Sequence, residues 1–202
     1  AFAYETTLCY SDTPFFREQV KDAAFFMDLK NPNSLVENII EIQNNKLAVE
    51  NKKVVAVGGG LGIAPLKDLL MQLQDKNEVV NIAGGRNAKH LSILSSFPST
   101  IKTLTSTDDG SMGHKGTVVD ILRGYLEENK VDIIYTCGPH VMMVAVARVA
   151  KEFGVRCQVS LEERMACGVK ACMGCSIPTT KGMQKVCYDG PVFEAEEVID
   201  IE

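Results

Sequence analysis

From Lys53 to Ser160 the chain alternates between short apolar runs and longer stretches of mixed polarity. "KVVAVGGG" (53–60), "EVVNIAGGR" (78–86), "IKTLTST" (101–107), "VDIIYTCGP" (131–139) and "VRCQVSLE" (155–162) are each bounded by glycine, proline or charge. Apolar residues on successive positions of such short runs read as strands covered on both faces. Between them, "APLKDLLMQLQ" (64–74), "GTVVDILRGYLEE" (116–128) and "HVMMVAVARVAKEFG" (140–154) carry apolar residues at intervals of three and four, the spacing of helices. A shorter helix is expected around "AKHLSIL" (88–94). Strand and helix in strict alternation predict an α/β domain with a parallel, Rossmann-like sheet over residues 51–160.

The flanks follow other rules. Thr13 before Pro14 is a helix start, and Phe15, Phe16, Val20, Ala23, Ala24 and Met27 form an apolar stripe behind it. "NPNS" (31–34) interrupts the pattern, and Ser34 with Glu37 fits a capping box for a second helix through Ile39, Ile40 and Gln43. Residues 1–50 therefore read as a helical N-terminal segment. Past Leu161 the periodicity fades into a small cysteine-rich module, residues 161–202.

Composition narrows the classes. Hydrophobic residues at 46% and charged residues at 23% are those of a soluble globular protein. A formal charge of −5 leaves no basic face for nucleic acid. No apolar run approaches the ~20 residues that span a bilayer, and "AFAYETTLCY" lacks the basic start and apolar core of a signal peptide. The expectation is a cytoplasmic protein with neither membrane nor nucleic-acid partner. Its seven cysteines are then not a disulfide framework.

Four of them crowd one stretch. Cys167, Cys172, Cys175 and Cys187 are spaced C-x4-C-x2-C-x11-C, and the first three match the plant-type [2Fe–2S] pattern. Soft thiolates bind iron and sulfide, and Gly168 and Gly174 let the loop turn its N–H groups toward sulfur. Zinc is the alternative, although its sites usually pair two C-x2-C knuckles and only Cys172 with Cys175 makes one. Cys9, Cys137 and Cys157 lie outside the cluster. His90, His114 and His140 do not group, and no metal is assigned to them.

"GGGLGIAP" (58–65) joins the first strand of the domain to its helix, with Gly58, Gly59, Gly60 and Gly62 able to admit a phosphate to the helix N-terminus. A tight turn explains the same glycines equally well. "TDDGSMG", with Asp108, Asp109 and Gly110, and "TCGP", with Cys137 and Gly138, fall at the same sheet edge, where open parallel sheets collect ligands. That coincidence favours a nucleotide site. Taken singly, Asp108 and Asp109 read as turn formers and Cys137 as a small core residue.

"SLEERMACGVKACMGC" with "KVCYDGPVF", preceded in order by "GGGLGIAPL", "TDDGSMGHKG" and "YTCGP", resembles the electron-transfer subunits of class 1B dihydroorotate dehydrogenase. Those subunits belong to the ferredoxin–NADP⁺ reductase superfamily. The likeness runs over about residues 53 to 202. It implies a ferredoxin-reductase-like NAD(P)-binding domain followed by a [2Fe–2S] module, with Cys167, Cys172, Cys175 and Cys187 as cluster ligands. Gly58 to Gly62 would face the dinucleotide phosphates, and Cys137 and Gly138 would lie near the nicotinamide, with Cys137 in the catalytic position. The cofactors implied are the [2Fe–2S] cluster, NAD(H) and FAD. The partner implied is the dihydroorotate dehydrogenase-type catalytic subunit of pyrimidine biosynthesis. The chain would be an oxidoreductase component active in a complex, relaying electrons between NAD(H) and that partner.

The family's flavin barrel opens with an Arg-x-Tyr-Ser-type motif, and a Gly-Pro-Leu-Gly stretch precedes the nucleotide domain; neither stands here. A nicotinamide yields a hydride while a [2Fe–2S] cluster carries single electrons, so a flavin must intervene. It is expected from a partner chain, from an unusual use of residues 1–50, or from a lost segment. Two other readings remain: the small subunit of an NADH-dependent ferredoxin:NADP⁺ oxidoreductase, and a flavin-free docking module with a structural cluster.

Overall fold

The computed structural model describes residues 50–167, 170–199 and 201, together with the backbone of two short strands upstream. The chain divides into two compact units, Ala1–Ala48 and Val49–Glu202.

In the first unit, strand β1 (Cys9–Ser11) pairs in parallel with β2 (Phe25–Met27). This corrects the helical expectation at its C-terminal end, where Phe25 to Met27 are extended. Adjacent aromatic residues favour a pleated strand once a partner is present, and Cys9–Ser11 supplies one. The remainder of the two helices expected within residues 1–50 lies outside the described residues.

The second unit is built on a sheet ordered β11-β8-β7-β3-β4-β5-β6. Its centre is β3 (Lys53–Gly59), flanked by β4 (Glu78–Gly85) and β7 (Ile133–Cys137); β5 (Lys102–Thr107), β6 (His114–Lys115) and β8 (Arg156–Ser160) complete the parallel part. Six of the seven residues of β3 are buried, as its unbroken apolar run requires.

Helix α1 (Ile63–Leu73) buries Ile63, Leu66, Leu70 and Leu73, one stripe at helical spacing. Helix α2 (Val118–Glu128) starts at a complete capping box: the Asp120 N–H donates to Thr117 Oγ1 at 3.3 Å and the Thr117 N–H to Asp120 Oδ2 at 2.8 Å. Helix α3 (His140–Glu152) buries Met143, Val146, Ala147, Val149 and Ala150, and Gly154 closes it at φ +66°. Residues of α2 and α3 share one core with Val55, Val57, Val80, Ile82 and Ile134 of the sheet. On the other face Ile63 packs with Ala83 and Leu91. The segment expected as a short helix at 88–94 is a 3-10 helix, Ala88–Ser96, capped by the Asn87 side chain.

The C-terminal residues hold more regular structure than their pattern suggested. A hairpin joins β9 (Ser176–Thr179) to β10 (Gly182–Lys185), and β11 (Val192–Glu194) returns antiparallel to β8. Cys175, Ile177, Val186, Phe193, Ala195, Val198 and Ile201 belong to the same core as the sheet. Among the described residues no helix is long and apolar enough to cross a membrane.

Candidate functional site

Strand order reverses between β3 and β7: from β3 the chain steps outward through β4 and β5, then returns to build β7 and β8 on the other side. The carboxyl ends of two such strands diverge into loops on opposite faces and leave a crevice. Gly58 stands beside Cys137 in register, so both expected loops meet there. They meet backbone to backbone. A Cβ on Gly62 would strike the Cys137 carbonyl, and one on Gly138, at φ +152°, would come within 2.9 Å of the Gly59 oxygen. A Cβ on Gly59 would sit 2.5 Å from the Met142 sulfur and 2.9 Å from Pro139.

Gly60 differs. At φ +57° it is left-handed, and nothing lies within 4 Å of where its Cβ would be. This face is open at the N-terminal end of α1, where the positive dipole end lies. Leu61, 94% exposed, and Val141, 78% exposed, stand at the starts of the two helices beside the crevice.

The loop after β5 sits two strands from β3 on the same edge, roughly 10 Å away at ordinary strand spacing. It is tied to the end of β4: Asp108 N–H donates to the Gly85 carbonyl at 3.2 Å, and Ala88 N–H to Ser111 Oγ at 2.8 Å. Asp109 Oδ1 accepts from Ser111 Oγ at 2.6 Å and Ser111 N–H at 2.9 Å, which holds its carboxyl below the ordinary value. The Asp108 carboxylate is exposed.

Cys137, in contrast, is 2% exposed. Burial pushes its thiol up, against the pull of a hydrogen bond with Ser160, which pairs with it across β8. A neutral buried thiol is no thiolate nucleophile. Ser160 and the nearby Glu162 escaped sequence reasoning, because only the β7–β8 register brings them to Cys137. Cys157 is also buried, and its thiol is pushed up to about 12.

The four clustered thiols stand as two pairs. Cys172 N–H donates to Cys167 Sγ at 3.4 Å. The Cys187 thiol is raised by burial and by its neighbour Cys175, with Cys167 and Cys172 adding to the effect. Val186 N–H donates to the Cys175 carbonyl at 3.0 Å, holding the second pair together. Gly174 N–H donates to Cys172 Sγ at 3.4 Å. Among the described residues no three acidic, thiol or imidazole side chains converge as a single-ion site. Two thiol pairs, the Cys167 and Cys172 sulfurs each accepting an N–H, fit a two-iron cluster, whose irons each take two terminal ligands. A cavity of about 790 Å³ lies elsewhere, between the last turns of α3, the start of β8 and the C-terminal tail.

Residues 162–199 match the family model for the iron–sulfur cluster binding domain of dihydroorotate dehydrogenase B, and residues 56–148 match the oxidoreductase NAD-binding domain. The chain is 41% identical to the dihydroorotate dehydrogenase B (NAD(+)) electron transfer subunit of Caldanaerobacter subterraneus subsp. tengcongensis, over 75% of this chain and 61% of that one. With the corresponding subunit of Geobacillus kaustophilus it shares 34% identity over 96% of this chain and 78% of that one. A solved NADH-dependent reduced ferredoxin–NADP oxidoreductase superposes at a TM-score of 0.67 with 35% identity, covering 74% of this chain and 55% of that one. The chain spans about three-fifths of the length of the first curated relatives it matches.

Proposed function

The chain belongs to the dihydroorotate dehydrogenase B electron transfer subunit family, and from that premise we propose that it relays electrons between NAD(H) and a partner oxidoreductase of dihydroorotate dehydrogenase type. The observation that carries this reading is the pairing of Cys167 with Cys172 and of Cys175 with Cys187 in one module. These four would hold a [2Fe–2S] cluster. Flavin supplies the exchange between a hydride and single electrons, and the cluster carries those electrons one at a time.

The chain's own residues do the positioning. Gly60 leaves an open face for the dinucleotide phosphates, and Gly62 and Gly138 keep the two loops in backbone contact so that the crevice has a fixed floor. Cys137 and Ser160 present a neutral, hydrogen-bonded wall beside the nicotinamide position. NAD(H) is preferred on the family alone, since the second strand of the domain runs into Arg86, which suits a 2′-phosphate, and carries no acidic residue there for a ribose hydroxyl. Cys167 follows Ser160 by seven residues, so it lies within roughly 25 Å of the crevice at full extension. FAD would be held together with a partner chain, and the cytoplasm is the compartment in which such thiols stay reduced.

Anaerobic loading with iron and sulfide should give about two irons per chain and an EPR signal after one-electron reduction. In complex with the catalytic subunit, dihydroorotate should then reduce NAD⁺. Stoichiometric zinc without labile sulfide would overturn the cluster. A second reading, a subunit of an NADH-dependent ferredoxin–NADP oxidoreductase, draws support from the superposition at 35% identity. Ferredoxin-coupled turnover with no response to dihydroorotate would favour it.

A further inference from the structure

The three-cysteine loop and the turn bearing Cys187 are joined by two lysines that cross in opposite directions. Lys185, the last residue of β10, sends its Nζ to the Lys170 carbonyl at 2.9 Å. Lys170 sends its own Nζ back over the Tyr188 ring, 4.2 Å from the centroid. Lys170 lies between Cys167 and Cys172, and Tyr188 directly follows Cys187, so both links run between ligand-bearing segments. The receiving turn is fixed in its own right. Lys185 N–H donates to Asp189 Oδ2 at 2.7 Å, and Tyr188 and Asp189 N–H both return to the Lys185 carbonyl.

Lys170 is also one of two non-glycine residues with positive φ among those described, at +65°. That conformation is strained for any residue with a Cβ. It also reverses the chain so that the amides that follow turn inward, as a backbone nest does. The Cys172 N–H on Cys167 Sγ is the outcome. An ammonium on the Lys170 carbonyl is the contact that compensates the strain from outside.

We infer that Lys185, Lys170 and Tyr188 form a clasp that holds the cluster loop in its left-handed turn and leaves positive charge beside the cluster. Lys185 and Lys170 are thus positioning residues. The clasp does two things. It sets the thiol pairs in place before iron and sulfide arrive, and it makes the bound cluster easier to reduce, because nearby positive charge raises the potential. This rests on the reading of the four thiols as cluster ligands.

The test is a double-mutant cycle on the full chain, loaded anaerobically with iron and sulfide. Its readouts are the rate of cluster loss to a chelator and the EPR-monitored midpoint potential. Lys185→Met should speed cluster loss by roughly 10- to 100-fold, the usual effect of removing a partner that orients a metal ligand, and should lower the potential. Lys185→Arg keeps the donor and should retain both properties. In a Lys170→Gly background the left-handed turn needs no external hold, so adding Lys185→Met should change the loss rate little. Equal acceleration in both backgrounds, no acceleration in either, or an unmoved potential would overturn the clasp. Dinucleotide binding reports the fold of each variant. A wild-type chain that takes up no iron and sulfide would refute the cluster reading itself, a separate failure.

Discussion

The nucleotide sheet and the cysteine module solve opposite problems with neighbouring stretches of chain. The sheet makes its site by leaving side chains out: Gly62 and Gly138 bring two loops together through bare backbone, over a core of Val55, Val57, Ile82 and Ile134. The module makes its site by adding side chains, four thiols and two lysines, in the segments that flank a short hairpin. A crevice of that kind exists without its ligand, whereas a ring of thiols is completed by what it binds. The difference is between a site that folding finishes and a site that a cofactor finishes.

The sharpest way to break this contrast is Cys187→Ser. Iron content should fall from about two per chain to near zero, while titration with NADH still gives a wild-type dissociation constant. Loss of both would mean that the sheet depends on the cluster. Gly62→Val attacks the other side, driving a side chain into the Cys137 carbonyl. Denaturant unfolding should show a loss of about 3 kcal/mol, the upper range for overpacking, with dinucleotide binding abolished. Gly60→Ala places its Cβ in open space, so only the left-handed backbone is penalised, by about 1–2 kcal/mol. Calorimetry should find weaker NADH binding and an unchanged cluster spectrum.

The smallest effect tests the seam between the two regions. Glu194 on β11 accepts from Arg156 Nε at 3.1 Å and from Gln158 Nε2 at 2.6 Å. Burial raises its carboxyl, but Arg156 and Gln158 outweigh that and leave it below the usual 4.5. A lowered folded value means that the contribution is complete above pH 4.5 and fades as pH falls through the folded value. Urea midpoints should therefore drop faster on acidification in wild type than in Arg156→Met.

Much of the sheet was legible because its signals are local. β3, β4 and β7 announce themselves as apolar runs, and α2 as apolar residues at helical spacing. The cysteine spacing was as plain. What sequence reading missed depends on distant pairing. β11 is a strand because Val192 finds Ser160, and β2 is extended beside Cys9–Ser11 where a helical stripe was expected. Lys170 gives no sign of its left-handed backbone, since glycine or asparagine would be the usual marker. Asp109 looked like a ligand group or a turn former; its contacts to Ser111, which no spacing in the sequence revealed, account for the turn.

The return of β11 to the rim of β8 also has a consequence for chains that never receive iron. Were the module to come undone and take β11 with it, β8 would become an uncovered edge strand. Its row of unpaired N–H and C=O groups would be a template for another chain. Val159 and Leu161, buried in the assembled fold, lie along that rim. Cluster assembly would then also serve as a safeguard against self-association, and scarcity of iron would show as aggregates of this chain.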